Sequence, residues 1–244
     1  MVPEASPGPA RRGRLTLVLG GARSGKTAFA ERCACSGGGC VTYVATGGPG
    51  DAEMAARIEE HRRRRPRGWE TVEEGLRPDE AVRRGARAGS TLLVDCVALL
   101  VSNLLLKELG PDPPGEIDPR AASRALVAAR RGVGRLIRAV GAALNAGSDV
   151  VMVSNEVGLG LVPANPLGRL FRDALGWANQ ALASEADEVY LMVAGIPLPL
   201  RGGRGGAPPA GVMPGGGGGI RQGGGGPCAR RPRRRGGPER GAPR

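Results

Sequence analysis

The sequence predicts an α/β domain, a mostly parallel sheet with helices on both faces, and two observations carry that prediction. Five short runs, at 15–19, 41–45, 92–95, 149–153 and 188–193, are dominated by Leu, Val and other apolar residues with no regular polar alternation. Strands of that kind are buried on both faces, and the stretches between them carry helix signals, the alternation that builds a parallel sheet. The second observation is the octet Gly20-Gly21-Ala22-Arg23-Ser24-Gly25-Lys26-Thr27, in which two glycines bracket four residues and Lys and Thr follow. It stands between the first strand run and the helix-favouring Ala28, Phe29, Ala30 and Glu31, the context that a phosphate-binding loop requires. The fold class is therefore that of a phosphate-loop (P-loop) NTPase.

The chemistry of such a loop accounts for its residues. Glycines let successive backbone N–H groups turn into one cavity, and the following helix adds its positive end. Lys26 brings an ammonium to the outer phosphates, and Thr27 offers a hydroxyl to Mg²⁺. Among 35 basic residues only Lys26 and Lys107 are lysines, so lysine persists where a compact ammonium is wanted and a planar guanidinium would fit poorly.

The second strand run ends at Thr46-Gly47-Gly48-Pro49-Gly50, after which Asp51 can cap a helix through Glu53, Met54, Ile58 and His61 that Pro66 stops. The third strand ends at Asp95 and leads into an apolar helix from about 97 to 109. A Pro/Gly linker fills 110–115, and an Ala/Arg helix occupies roughly 120–145 despite internal glycines. The fourth strand, a helix from about 165 to 185 and the fifth strand complete the domain.

Three segments follow from composition: a flexible extension over 1–13, the P-loop domain over 14–200, and a Gly/Pro/Arg-rich tail over 201–244 with almost nothing to bury, which the sequence predicts to be disordered. The tail holds ten arginines against one glutamate, so of the net charge of +12 only +3 falls on residues 1–200. Nucleic-acid binding is thus not a property of the domain; the tail could add a weak, sequence-independent grip, but it has no aromatic to stack on a base. Aromatics make up 2% of the chain, so the core must be aliphatic. Five cysteines without a CxxC pair give neither a disulfide framework nor a zinc site, and the expectation is a reduced, cytoplasmic protein. No apolar segment has the length of a membrane span, and 1–13 lacks the apolar region of an export signal.

Ligands of parallel sheets bind beyond the carboxyl ends of the strands, which selects the candidates. Asp95 ends the third strand where a P-loop enzyme keeps the carboxylate that orients Mg²⁺ and its waters; it also suits a simple helix cap. Glu156, after Asn155 at the end of the fourth strand, is a possible second carboxylate or part of a polar turn. His61, the one histidine, falls at helical spacing with Met54 and Ile58, as a packed core residue would. Arg62, Arg63, Arg64 and Arg65 follow it, and beside a phosphate loop they make a wall suited to polyphosphate, where a neutral imidazole is a nucleophile toward phosphorus.

Several blocks together carry a resemblance: the octet at 20–27, Tyr43-Val-Ala-Thr46, Glu53-Met-Ala-Ala-Arg-Ile-Glu-Glu-His61, Trp69-Glu-Thr-Val-Glu-Glu74, Val94-Asp-Cys96, Ser102-Asn-Leu-Leu105, Asn155-Glu-Val-Gly-Leu-Gly-Leu-Val-Pro163, Phe171-Arg-Asp173, Asn179-Gln-Ala-Leu182 and Val193-Ala-Gly-Ile-Pro197. In this order, over about 14–200, they resemble the bifunctional adenosylcobinamide kinase / adenosylcobinamide-phosphate guanylyltransferase family. The resemblance implies phosphorylation of adenosylcobinamide by GTP or ATP, then GMP transfer from GTP to that phosphate through a GMP–histidine at His61. It further implies nucleotide contacts at 20–27, Thr46, Gly47, Gly48, Arg62 to Arg65, Glu73 and Asp95, and a homo-oligomer, a trimer in that family. Gly47 and Gly48 depart from the family's usual segment and could offer backbone contacts only. A kinase for another small hydroxyl substrate is the alternative the residues leave open.

Overall fold

The computed structural model describes residues 11–48, 62, 63, 65, 66, 68–111 and 115–202. Seven strands form one sheet: β1 (Leu15–Gly20), β2 (Val41–Ala45), β3 (Glu70–Glu73), β4 (Thr91–Asp95), β5 (Asp149–Asn155), β6 (Glu188–Val193) and β7 (Ile196–Arg201), in the order β3-β2-β4-β5-β1-β6-β7. Every pairing is parallel except that of β6 with β7. The helices are α1 (Lys26–Ser36), α2 (Pro78–Gly85), α3 (Val97–Leu109), α4 (Pro119–Asn145) and α5 (Pro166–Glu185).

Right-handed crossovers put α1 on one face and α2 to α5 on the other. The packing agrees: α1 lies against β1, β4 and β5, whereas α4 packs on α2, α3 and α5. The core between these layers is aliphatic as expected, with Val18, Val44, Leu92, Leu93, Val94, Val150, Met152 and Val153 fully buried. Helix starts follow capping chemistry: Asp118 accepts from the Ala121 amide at 2.8 Å and Asn165 from the Gly168 amide at 2.6 Å, each with proline as the next residue.

Two strands and one helix go beyond the five runs read from sequence. β3 is a polar edge strand, Glu-Thr-Val-Glu, of which only Val72 is partly buried, so it lacks the apolar signature of the others. β7 contains Pro197 and Pro199, which a central strand would not tolerate, but it is an edge strand turned back on β6. Its hairpin turns through Ala194 and Gly195, both at positive φ (51° and 83°), the geometry that matches strand twist in a two-residue turn. α2 is a short helix of eight residues.

α2 is held to α4 by a buried charge. Asp79 is 1% exposed and accepts from Arg77 Nε at 3.2 Å and Arg83 Nη1 at 3.0 Å, with Arg135 Nε of α4 at 3.9 Å. Burial alone would raise its pKa, but the Arg77 hydrogen bond and charge, joined by Arg83 and Arg135, outweigh burial and hold the carboxyl below its ordinary 3.8. A folded-state pKa below the unfolded one gives stability that is present above the unfolded value and lost as pH falls through the folded one. Asp79→Asn is accordingly expected to cost about 1–3 kcal/mol of unfolding free energy near neutral pH. In urea titrations its difference from the parent should shrink as pH falls below the ordinary carboxyl value of 3.8 and through the lowered one; equal midpoints at neutral pH would remove the stabilising role.

Candidate nucleotide site

β1 ends at Gly20, and the next residues fold back to form the loop. Ser24 N donates to Gly21 O at 3.4 Å, and Arg23 (φ 55°) and Gly25 (φ 88°) take left-handed conformations. A Cβ at position 25 would lie 3.3 Å from Gly195 Cα, because the β6–β7 turn braces the loop through Gly195 N donating to Ser24 O at 3.0 Å. α1 begins without a side-chain cap, which leaves its first N–H groups for an anion. The Ser24 hydroxyl is buried inside the loop without a hydrogen-bond partner.

Lys26 is half-buried, and its Nζ donates to Gly21 O at 3.0 Å. Burial lowers its pKa from the ordinary 10.5, while charge on Cys96 and Asp95 opposes that. The Cys96 thiol is itself pushed up to about 12 by burial and is neutral at physiological pH, so Asp95 is the partner that matters there. The carboxylate of Asp95, at the end of β4, accepts at Oδ2 from Tyr43 Oη at 2.6 Å. Tyr43 is buried in β2, and burial followed by the Asp95 charge raises its pKa, so it stays a proton donor. The Arg65 guanidinium stacks 3.6 Å from the Tyr43 ring centre.

The ends of β2, β3 and β4 are tied together behind this edge. Thr46, fully buried, donates its hydroxyl to Cys96 O at 2.6 Å and accepts from Cys96 N at 2.8 Å. Its side chain is thus committed to positioning Asp95-Cys96. Asn103 of α3 donates to Thr46 O at 2.9 Å and to Gly75 O at 3.0 Å. Gly47 and Gly48 follow at the increasingly exposed strand end. Glu73, ending β3, forms an ion pair with Arg62, and Arg63 is exposed. On the other side of β4, Glu156 N donates to Gly20 O at 3.1 Å, and its Oε1 accepts from Gly158 N at 2.6 Å. The buried Asn179 fixes that strand end, donating to Asn155 O at 3.0 Å and accepting from Ser154 Oγ at 2.6 Å. His61, Arg64 and most of the helix expected over 51–66 lie outside the described residues.

Residues 16–200 match the family model described as cobinamide kinase / cobinamide phosphate guanyltransferase. The chain belongs to this family. It is 42% identical over 186 residues to the bifunctional adenosylcobalamin biosynthesis protein CobP of Pseudomonas aeruginosa, covering 76% of this chain and 96% of that one. It is also 40% identical to the CobU protein of Escherichia coli over 77% of this chain and 99% of the relative, and 38% identical to that of Salmonella typhimurium over the same shares. The family match runs from within β1 to within β7, so the tail over 201–244 stands outside it.

In this cobinamide kinase / guanyltransferase family member, Lys26, Asp95 and Glu156 gather along one edge of the sheet around the loop, as the strand-end rule anticipates. Tyr43, Asn103 and Asn179, which tie that edge together, had no role assigned from sequence. All three lie in the blocks that carry the resemblance, and their further signal is a polar group in an otherwise apolar strand or helix, as in Leu99-Leu100-Val101-Ser102-Asn103-Leu104-Leu105. The donor set fits Mg²⁺: the Asp95 carboxylate and Thr27 hydroxyl are hard oxygens next to a phosphate cradle. Among the described residues no three His, Cys, Asp or Glu side chains cluster as a cage. Mg²⁺ bound chiefly through substrate phosphates needs only one or two such ligands.

Proposed function

We propose that this protein is a bifunctional enzyme of adenosylcobalamin assembly, and that the P-loop with its half-buried Lys26 facing Asp95 is the nucleotide site. The observation that carries this reading is the pairing of that geometry with a family match over the whole sheet. In the first reaction the hydroxyl of adenosylcobinamide's aminopropanol arm attacks the γ-phosphorus of GTP or ATP, and the nucleoside diphosphate leaves. The loop amides and the Lys26 ammonium bind and orient the phosphates and take up charge on the leaving oxygen. Bound Mg²⁺, held by Thr27 and Asp95, supplies further neutralisation of the phosphates.

In the second reaction the neutral imidazole of His61 attacks the α-phosphorus of GTP. An N–P bond forms, the bond to the β-phosphate oxygen breaks, and pyrophosphate leaves. A phosphate oxygen of adenosylcobinamide phosphate then attacks the same phosphorus, freeing His61 and giving adenosylcobinamide-GDP. Arg62 to Arg65 with Glu73 form the wall beside the guanylylated histidine, Gly47 and Gly48 offer backbone contacts, and Glu156 is a second carboxylate near the loop. The enzyme works in the cytoplasm as a homo-oligomer, a trimer by family resemblance, with residues 1–13 and 201–244 as appendages outside catalysis.

The test is incubation with Mg²⁺ and GTP labelled at the α-phosphate, followed by mass analysis of peptides. An acid-labile, base-stable GMP adduct on the peptide bearing His61, absent from His61→Ala, is the expected result. No adduct under conditions where GTP binds would remove the guanylyltransferase half.

A further inference from the structure

Tyr43 sits in β2, Val-Thr-Tyr-Val-Ala, which is buried at every position, a setting where an aliphatic side chain would pack with no polar group to satisfy. Register puts Tyr43 beside Leu93 and Ala45 beside Asp95, so the tyrosine reaches two residues along the sheet to give its hydroxyl to Asp95 Oδ2 at 2.6 Å. A buried phenol needs an acceptor, and any backbone carbonyl would serve. Here the acceptor is the carboxylate whose charge acts on Lys26 of the phosphate loop.

The ring of the same residue carries the turn that leads into β3. The Arg65 guanidinium lies 3.6 Å from the ring centre, and the Trp69 ring stands at 6.3 Å, tilted by 32°. Between them Trp69 N donates to Pro66 O at 3.1 Å and closes the turn. Both ends of the turn therefore rest on one phenol. Little else holds the Arg65 side chain: among the described residues it has no ion pair, its Nε is buried without a hydrogen-bond partner, and its Nη1 reaches Thr71 Oγ1 at 3.4 Å. A cation over an aromatic face gains most where water is scarce, so the stack is the main hold on this guanidinium.

Arg65 follows His61 by four residues in the chain. Four residues span at most about 14 Å in any conformation, so seating Arg65 on Tyr43 limits how far His61 can stand from the Asp95 side of the phosphate loop. Resting on the activity proposed above, we propose that Tyr43 is a positioning residue with two separable tasks: its hydroxyl orients Asp95 for both reactions, and its ring seats Arg65 and so fixes the chain behind His61 for GMP transfer. The two tasks fall on different atoms of one side chain, and substitution can take them apart.

The experiment gives the full chain Mg²⁺ and GTP and compares the single-turnover rate of GMP-adduct formation with the rate of cobinamide phosphorylation. A loss of folded protein lowers both rates alike, so their ratio reads positioning. Tyr43→Phe keeps the ring and drops the hydroxyl: both rates should fall together, by no more than about tenfold, with the ratio unchanged. Arg65→Gln empties the ring face, and adduct formation should fall about tenfold further than phosphorylation does. Arg65→Lys returns a cation to the ring and should restore most of the ratio. In a Tyr43→Leu background, Arg65→Gln should change the ratio no further. A parental ratio in Arg65→Gln, an altered one in Tyr43→Phe, or a lysine no better than glutamine overturns the proposal, and these three results decide it even where Tyr43→Leu does not fold. A second full loss in the Tyr43→Leu background overturns it too, since Arg65 would then act without the ring. No adduct in a parent that binds GTP removes the guanylyltransferase reading and this proposal with it, whereas an adduct-forming parent with the wrong ratios removes the proposal alone.

Discussion

Lys26→Ala lowers the turnover of cobinamide phosphorylation by about 10²–10³-fold and leaves thermal unfolding where it was. Both halves of that expectation come from the same geometry. The ammonium is half-buried, burial disfavours its charge, and its hydrogen bond in the absence of nucleotide is to Gly21 O. A group held against its own desolvation adds little to the fold, so removing it costs little stability. Toward a polyphosphate the same desolvation is an advantage, because a charge in a poorly solvated site interacts more strongly with the oxygen that becomes negative as the bond breaks. Lys26→Arg should fail as well: a planar guanidinium does not replace the compact ammonium that donates to Gly21 O. Steady-state phosphorylation assays with calorimetric unfolding check both variants. Parental turnover in Lys26→Ala would assign the loop a binding role only.

How much of this was legible in sequence depends on how local the determining physics is. β2, α3 and β6 begin and end where their apolar runs do, at Val41–Ala45, Val97–Leu109 and Glu188–Val193, since a strand buried on both faces or a helix with a broad apolar side announces itself residue by residue. β3 and β7 do not, because each exists only through pairing to one neighbour, β2 and β6, and neither has a buried face to pattern. The site divides in the same way. The loop octet and the carboxylates ending β4 and β5 are local features whose meaning comes from adjoining strands. Tyr43 acts on Asp95 from 52 positions away, and Asn103 on Thr46 from 57. Thr46, expected to touch nucleotide, turns its hydroxyl into the backbone of Cys96, a commitment that no spacing encodes.

Asp95→Asn separates charge from shape at the strand end. The amide keeps the volume of the carboxylate and, through its oxygen, still accepts from Tyr43 Oη, so β2 and β4 stay tied and unfolding should not move. What disappears is the negative charge facing Lys26 and the oxygen suited to Mg²⁺. Turnover should fall by about 10–100-fold. The pH profile carries a second signature. Asp95 is one of the charges that hold the Lys26 pKa up against burial, so its removal lowers that pKa further. A lysine must be protonated to neutralise phosphate, and activity is therefore lost as pH rises through its pKa. The alkaline limb of the profile should move to lower pH in Asp95→Asn. In Tyr43→Phe the charge is intact and only the 2.6 Å donor is gone, so that limb should stay in place while turnover drops less. An unshifted limb in Asp95→Asn would mean that the ammonium does not sense this carboxylate during turnover, and the Asp95 role would reduce to holding the end of the strand.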